Sequence, residues 1–128
     1  MEGNSSKRVV RTYRDLIAWQ KAMQLAKALY AVTAGMPKSE QFGLTNQMRR
    51  AAVSIPSNVA EGHARQSRAD YLKHLRIARG SLAELTTQVE LAIGLKMIQP
   101  HQLLLDLLLE EDRILQGLIR SLEQKGKE

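Results

Sequence analysis

Apolar side chains recur along this chain at steps of three and four, so at about 100° per residue they gather on one face of a helix. The clearest instance is residues 43–62, GLTNQMRRAAVSIPSNVAEG. Leu44, Met48, Ala51, Ile55 and Val59 form a seam suited to a bundle helix. Gln47, Arg50, Ser54, Asn58 and Glu61 run beside that seam at the same steps. A solvated stripe is usually Lys and Glu, whereas short amides and hydroxyls with one cation and one carboxylate suit a hydrogen-bonded network between packed helices. Arg50, Ser54, Asn58 and Glu61 are therefore expected to meet Ser81 and Glu84 of the following helix. Pro56 lies in mid-pattern, where it removes a backbone donor and crowds the carbonyl of Ala52, predicting a kink. Two readings compete: one kinked helix, favoured by the unbroken apolar phase, or a helix ending at Ser54 or Ile55 and another beginning with Pro56.

The same periodicity predicts three more helices. Asp15 is placed to cap a first one, in which Trp19, Ala22, Met23, Ala26, Tyr30 and Thr33 share a face that Leu25, Leu29 and Val32 widen; Gly35 and Pro37 end it. After a break at Gly62, Ser67 is the expected cap of a third helix, with Asp70 three residues on. Its Tyr71, Leu75, Ala78, Leu82, Leu85, Val89 and Ala92 alternate steps of four and three, as in a coiled coil, until Pro100 stops it. The last helix, 101–124, spreads Leu and Ile over roughly 240° of its circumference, more than one core contact needs. Leu105 and Leu109 are its surplus. Residues 1–12, polar and basic without periodicity, read as a flexible arm, and residues 125–128 as a frayed tail.

Four such helices on short connections close a core by packing antiparallel, so the expected fold is an all-α, up-down-up-down four-helix bundle, one domain over residues 13–124. The chain has 128 residues, enough for one core, and with 44% hydrophobic but 4% aromatic residues that core must be aliphatic. Trp19, Ile55, Leu75, Leu82 and Leu85 are expected in it. Val53 and Ala60 lie opposite the seam of the second helix, and one bundle cannot bury them together with the outer apolar residues of the fourth. A closed homo-oligomer is the expected remedy. The sequence has no apolar run of about eighteen residues and starts polar and basic, which predicts a cytoplasmic protein with neither membrane span nor secretory signal. The absence of cysteine excludes disulfides, Cys-based zinc sites and thiol catalysis.

Charge changes the picture. The formal net charge is +6, yet residues 43–80 hold seven Arg or Lys against two acids while residues 101–128 hold four against six. Arg49, Arg65, Arg68, Lys73, Arg76 and Arg79, joined by Lys7, Arg8, Arg11 and Arg14, are the candidates for a phosphate-tracking surface. Arg50 and Arg79 also stand close enough to the seams to be structural partners of Glu61 and Glu84. Base-specific reading has no support, because no recognised motif is present and the aromatics are assigned to packing.

YRDLIAWQKA, then GLTNQMRRAAVSIPSNVAEG, then YLKHLRIARGSLAEL resemble, in order and without gaps, small bacterial four-helix-bundle proteins first noticed as reading frames inside intervening sequences of large-subunit ribosomal RNA genes. The resemblance spans residues 13–98; the fourth helix matches in type alone. Similar proteins assemble as rings of five bundles, and related accessory proteins of diversity-generating retroelements bind nucleic acid and a reverse transcriptase through a basic surface. The resemblance therefore implies a homopentamer with RNA or DNA, or a reverse transcriptase, as partner. It implies no enzymatic activity.

An enzyme would need converging nucleophiles, acids or metal ligands. His63, His74 and His101 lack the paired spacing of zinc ligands, and no EF-hand, P-loop or dinucleotide fingerprint occurs, so neither metal nor cofactor is expected. Glu111 falls within the apolar arc of the last helix without a Glu-x-x-His companion, and its expected role is to pair with an arginine. The expected function is thus non-enzymatic: an oligomer that binds a nucleic-acid backbone, or alternatively a scaffold acting through a protein partner.

Overall fold

The computed structural model describes residues 9–126. The expected arm therefore lies partly outside the described residues, with Lys7 and Arg8, as does the end of the expected tail. Four helices follow one another: α1 (Ile17–Thr33), α2 (Leu44–Ala64), α3 (Arg68–Gly94) and α4 (Gln102–Lys125). Among the described residues there is no strand, and no helix is long and apolar enough to cross a membrane.

Contacts between helices define a four-helix bundle. Each helix packs on its two neighbours in the ring α1–α2–α3–α4, with no close backbone approach between diagonal pairs. The order of pairing gives direction: along α2, Ser54, Asn58 and Gly62 face Ser81, His74 and Tyr71 of α3, so numbers rise on one helix as they fall on the other. Arg79, Arg76 and Arg68 of α3 likewise meet Asp112 and Glu123 of α4 and Gly126 just past its end. Both pairs are antiparallel.

Ile55, Leu75, Leu82 and Leu85 are buried, together with Leu25, Leu29, Met48, Val59, Val89, Leu104 and Leu115. Trp19 lies at the margin of the core, half-buried, edge-on to Tyr13. In α1 the buried stripe is Ala18, Ala22, Leu25, Leu29 and Thr33, rotated from the expected face so that Tyr30 points outward. Of the side chains expected to widen the face, Leu25 and Leu29 are in fact its centre, while Val32 is partly buried beside it. Asp15 does not cap α1: it closes a single 3-10 turn, Tyr13–Asp15, in a reciprocal cap with Thr12, and α1 starts two residues later without a side-chain cap.

α2 is one helix running through Pro56, which is buried. Gly62 is not a break. It lies inside the last turns of α2, where a Cβ would stand 2.7 Å from the Cβ of His74, so its missing side chain lets α2 and α3 approach. Ser67 caps α3 by accepting from the Asp70 backbone N–H at 3.0 Å. α3 stops before Pro100 matters: Lys96 takes a left-handed φ of 61°, and Met97 and Lys96 donate back to the carbonyls of Ala92 and Ile93. That pattern is a Schellman turn built without glycine.

Candidate nucleic-acid interface

The candidate cations must be followed one by one, because a guanidinium already held by a carboxylate reaches phosphate only by exchange. Arg65 follows the last turn of α2 and donates to Glu61 at 3.0 Å. Arg76 donates to Glu123 at 2.7 Å, and Arg79 to Asp112 at 3.1 Å, both across the α3–α4 contact. Arg68 opens α3 with its guanidinium against Gly126, at the carbonyl-rich end of α4 where a cation is favoured. Lys73 is exposed and has no ion pair among the described residues.

Arg49 leaves the group. Its Nε donates to the Thr33 hydroxyl at 2.9 Å, its terminal nitrogen to the Tyr30 carbonyl, and its guanidinium lies 4.5 Å over the Tyr30 ring. It therefore staples α2 to the end of α1. That end of the bundle is opposite the one where α2 finishes and α3 begins.

Topology supplies what charge counting along the chain missed. Antiparallel packing brings the start of the described chain, the α2–α3 connection and the end of α4 to one pole of the bundle. Arg11, Arg14, Arg65, Arg68, Lys73, Arg76, Arg120 and Lys125 collect there, against Asp15, Glu61, Asp70 and Glu123. Arg120 and Lys125 were hidden in the sequence because they sit in an acidic C-terminal quarter. The opposite pole carries Lys38, Arg49, Arg50 and Lys96 against Glu40, Glu90 and Asp106, a smaller excess of cations, with Phe42, Leu91, Leu95 and Leu103 exposed. Charge is thus segregated along the bundle axis, not between middle and outer helices.

The polar stripe of α2 is brought to α3 in part. The Ser54 and Ser81 hydroxyls are 2.8 Å apart, and Asn58 donates its amide N–H to the Ser54 carbonyl at 2.9 Å and hydroxyl at 3.0 Å. Asn58 Oδ1 faces His74 Nδ1 at 3.0 Å, and His74 Nε2 lies 3.8 Å from the Glu61 carboxylate. Arg50 and Glu84 stand outside this ladder: both are exposed, and Glu84 accepts from Gln88. Their longer stems carry the charged heads past the seam into water. His74 was not legible in the sequence, since its ladder partners lie 13 to 16 positions away on another helix.

Among the described residues Glu111 has no arginine partner, contrary to expectation. It is fully buried on α4, and among the described residues neither carboxyl oxygen has a hydrogen-bond partner. Burial pushes the carboxyl up to about 9, Glu110 adds to the rise and Lys21 opposes it. The group is therefore neutral at pH 7. The arginine nearest in the chain, Arg113, is two residues on and exposed, on another face of the helix.

Between α3 and α4 an open groove of about 1100 Å³ has Ala83, Leu105, Leu108 and Leu109 among its lining, with the Arg76–Glu123 and Arg79–Asp112 pairs on it. Leu109 and Val53 are exposed. Among the described residues no cluster of His, Asp or Glu could hold a metal ion. A model of the family described as 23S rRNA-intervening sequence protein matches residues 14–118. No curated protein compared with the chain matches it.

Proposed function

The chain belongs to the 23S rRNA-intervening sequence protein family, and from that premise we propose that it is a non-enzymatic, cytoplasmic homo-oligomer that binds RNA or DNA by the backbone at its basic pole. The observation behind this reading is the axial segregation of charge, which leaves Arg68, Lys73, Arg120 and Lys125 without a carboxylate partner among the described residues at the pole where three chain segments converge. Phosphate contacts of this kind position a nucleic acid without reading its sequence.

Assembly would multiply the effect, since a closed ring of copies repeats each basic pole and converts modest charge into a multivalent surface. Support for assembly comes from the open α3–α4 groove and from the outward Val53, Leu103 and Leu109. A five-membered ring is the proposed size. Equilibrium binding to single-stranded and duplex probes of unrelated sequence tests the reading: similar affinities that fall steeply with salt are expected.

One observation favours a second reading. Arg65, Arg76 and Arg79 are each already paired with a carboxylate, as groups of a structural surface would be. If no probe binds even at low salt, the protein is instead a scaffold or accessory subunit that acts through a protein partner such as a reverse transcriptase.

A further inference from the structure

The ladder between α2 and α3 fixes which nitrogen of His74 titrates. Asn58 spends its amide N–H groups on the Ser54 carbonyl and hydroxyl, so its carbonyl Oδ1, an acceptor, is what faces His74 Nδ1. Nδ1 must therefore carry a hydrogen in the neutral and in the charged ring alike. The site that gains or loses a proton is Nε2, and Nε2 faces Glu61 Oε2 at 3.8 Å. With the ring neutral, a lone pair points at a carboxylate and the two do not bond; with the ring protonated, the same geometry sets a cation beside an anion.

That carboxylate oxygen already has a partner. Arg65 donates to the same Oε2 at 3.0 Å. His74 is held in place, its side chain 13% exposed and its Cβ pressed on the bare Cα of Gly62, whereas Glu61 and Arg65 are half exposed and free to move. Whichever way the partnership changes, the acid and the arginine do the moving.

The other charged groups near His74 do not perform this exchange. On α3 itself Asp70 lies one turn before His74, but its carboxylate makes no ion pair with the ring, and burial pushes the Tyr71 hydroxyl up to about 12, so it stays neutral. From α2, His63 lies edge-on to Tyr71. The 3-10 turn before α1 brings Arg14, stacked on Tyr13, and Asp15, which accepts from the Arg11 and Thr12 backbone. From α4, Glu123 and Asp112 meet Arg76 and Arg79, which lie about 200° and 140° round α3 from His74 at 100° per residue.

We propose that His74 is a proton-operated release for Arg65: a proton on Nε2 draws Glu61 toward the imidazole and frees the Arg65 guanidinium for phosphate at the basic pole. The phosphate end of this inference rests on the function proposed above; the exchange of partners at Glu61 does not. Lowering the pH through the range where histidine titrates thereby adds one available cation per copy.

Two measurements separate these parts. In the first, side-chain NMR of the intact protein without nucleic acid follows the His74 ring and the Arg65 Nε–H from about pH 8 to about pH 6. The Arg65 signal is expected to shift as the His74 ring gains its proton, and Glu61→Gln is expected to silence the Arg65 response. An Arg65 signal that ignores the His74 midpoint overturns the proposal. In the second, binding of a thymidine homopolymer is measured against salt at both ends of that range. The wild-type slope is expected to be steeper at the acid end by roughly 0.7 per copy in contact, the value of one added phosphate contact on a single strand. Glu61→Gln is expected to show the steeper slope at both ends, and Arg65→Gln to lose the increment. If Arg65→Gln keeps it, Arg65 is not the released cation and the proposal fails. If the polymer does not bind at either pH while the NMR coupling is present, the release stands and the phosphate reading falls.

Discussion

Glu111 costs the fold stability wherever the unfolded chain would rather be ionised. Its carboxyl stays neutral in the fold up to about 9, while in the unfolded chain it ionises near the ordinary value of 4.5. Between those values the unfolded state holds fewer protons than the native state, so stability falls as pH rises, by up to about 1.4 kcal/mol per pH unit from this group. Below the lower value and above the higher one the contribution is flat. Urea unfolding across that window should therefore show a decline in the wild type that Glu111→Gln removes. Glu111→Leu should raise stability by about 1 to 3 kcal/mol, because it deletes two buried oxygens that bond to nothing described. A loss on either substitution would mean that the carboxyl is satisfied by a group not yet identified. Gly62 is the converse case, where adding one carbon should hurt: Gly62→Ala forces the α2–α3 contact apart at a 2.7 Å approach and should cost about 1 to 3 kcal/mol by thermal or urea unfolding. Glu61→Gln, on the exposed edge of the same contact, should stay within about 1 kcal/mol of wild type.

At the scale of elements, the seams of α2 and α3 were legible because they run long and keep their phase: Met48, Ala51, Ile55 and Val59 on one, Leu75, Ala78, Leu82, Leu85, Val89 and Ala92 on the other, are all buried. Pro56 did not mislead for the same reason. The phase of α1 was not legible, since Trp19, Met23 and Tyr30 offer a rival stripe and nothing local tells a large amphipathic aromatic that it will sit at the edge. Helix ends were the weakest point. Gly62 looks like a stop and is a contact; the actual stop of α3 is Lys96 in a left-handed conformation, which no residue preference for lysine announces. A lysine there is strained relative to glycine. Lys96→Gly should relieve it and raise stability by about 0.5 to 1 kcal/mol in denaturant unfolding; an unchanged or lowered midpoint would show that the turn is relaxed by its surroundings. Within the candidate site, the Ser54–Ser81 and Asn58 contacts were legible in the choice of short polar side chains. His74 and the exclusion of Arg50 were not, because they depend on how far apart two helices lie.

At the scale of the whole molecule, the bundle converts a charge asymmetry along the sequence into one along an axis. Arg49 goes to the pole opposite Arg65, Arg79 to mid-bundle on Asp112, and Arg120 and Lys125 arrive from α4. Assembly is the other property of this scale: light scattering should report a mass several times that of one chain, and Leu109→Glu on the exposed α4 face should lower it. A monomer in dilute solution would remove the ring. Whether the basic pole meets phosphate decides the function, and the most direct measurement is the salt dependence of nucleic-acid binding for wild type against Arg68→Gln with Lys73→Gln, two exposed cations with no ion pair among the described residues. If both contact phosphate, the double substitution should flatten the slope by roughly 1.4 on single strands and 1.8 on duplex per copy in contact, equally across unrelated sequences and with the helical signal unchanged. A double variant that keeps the full salt dependence, or a wild type that binds nothing at low salt, would contradict it.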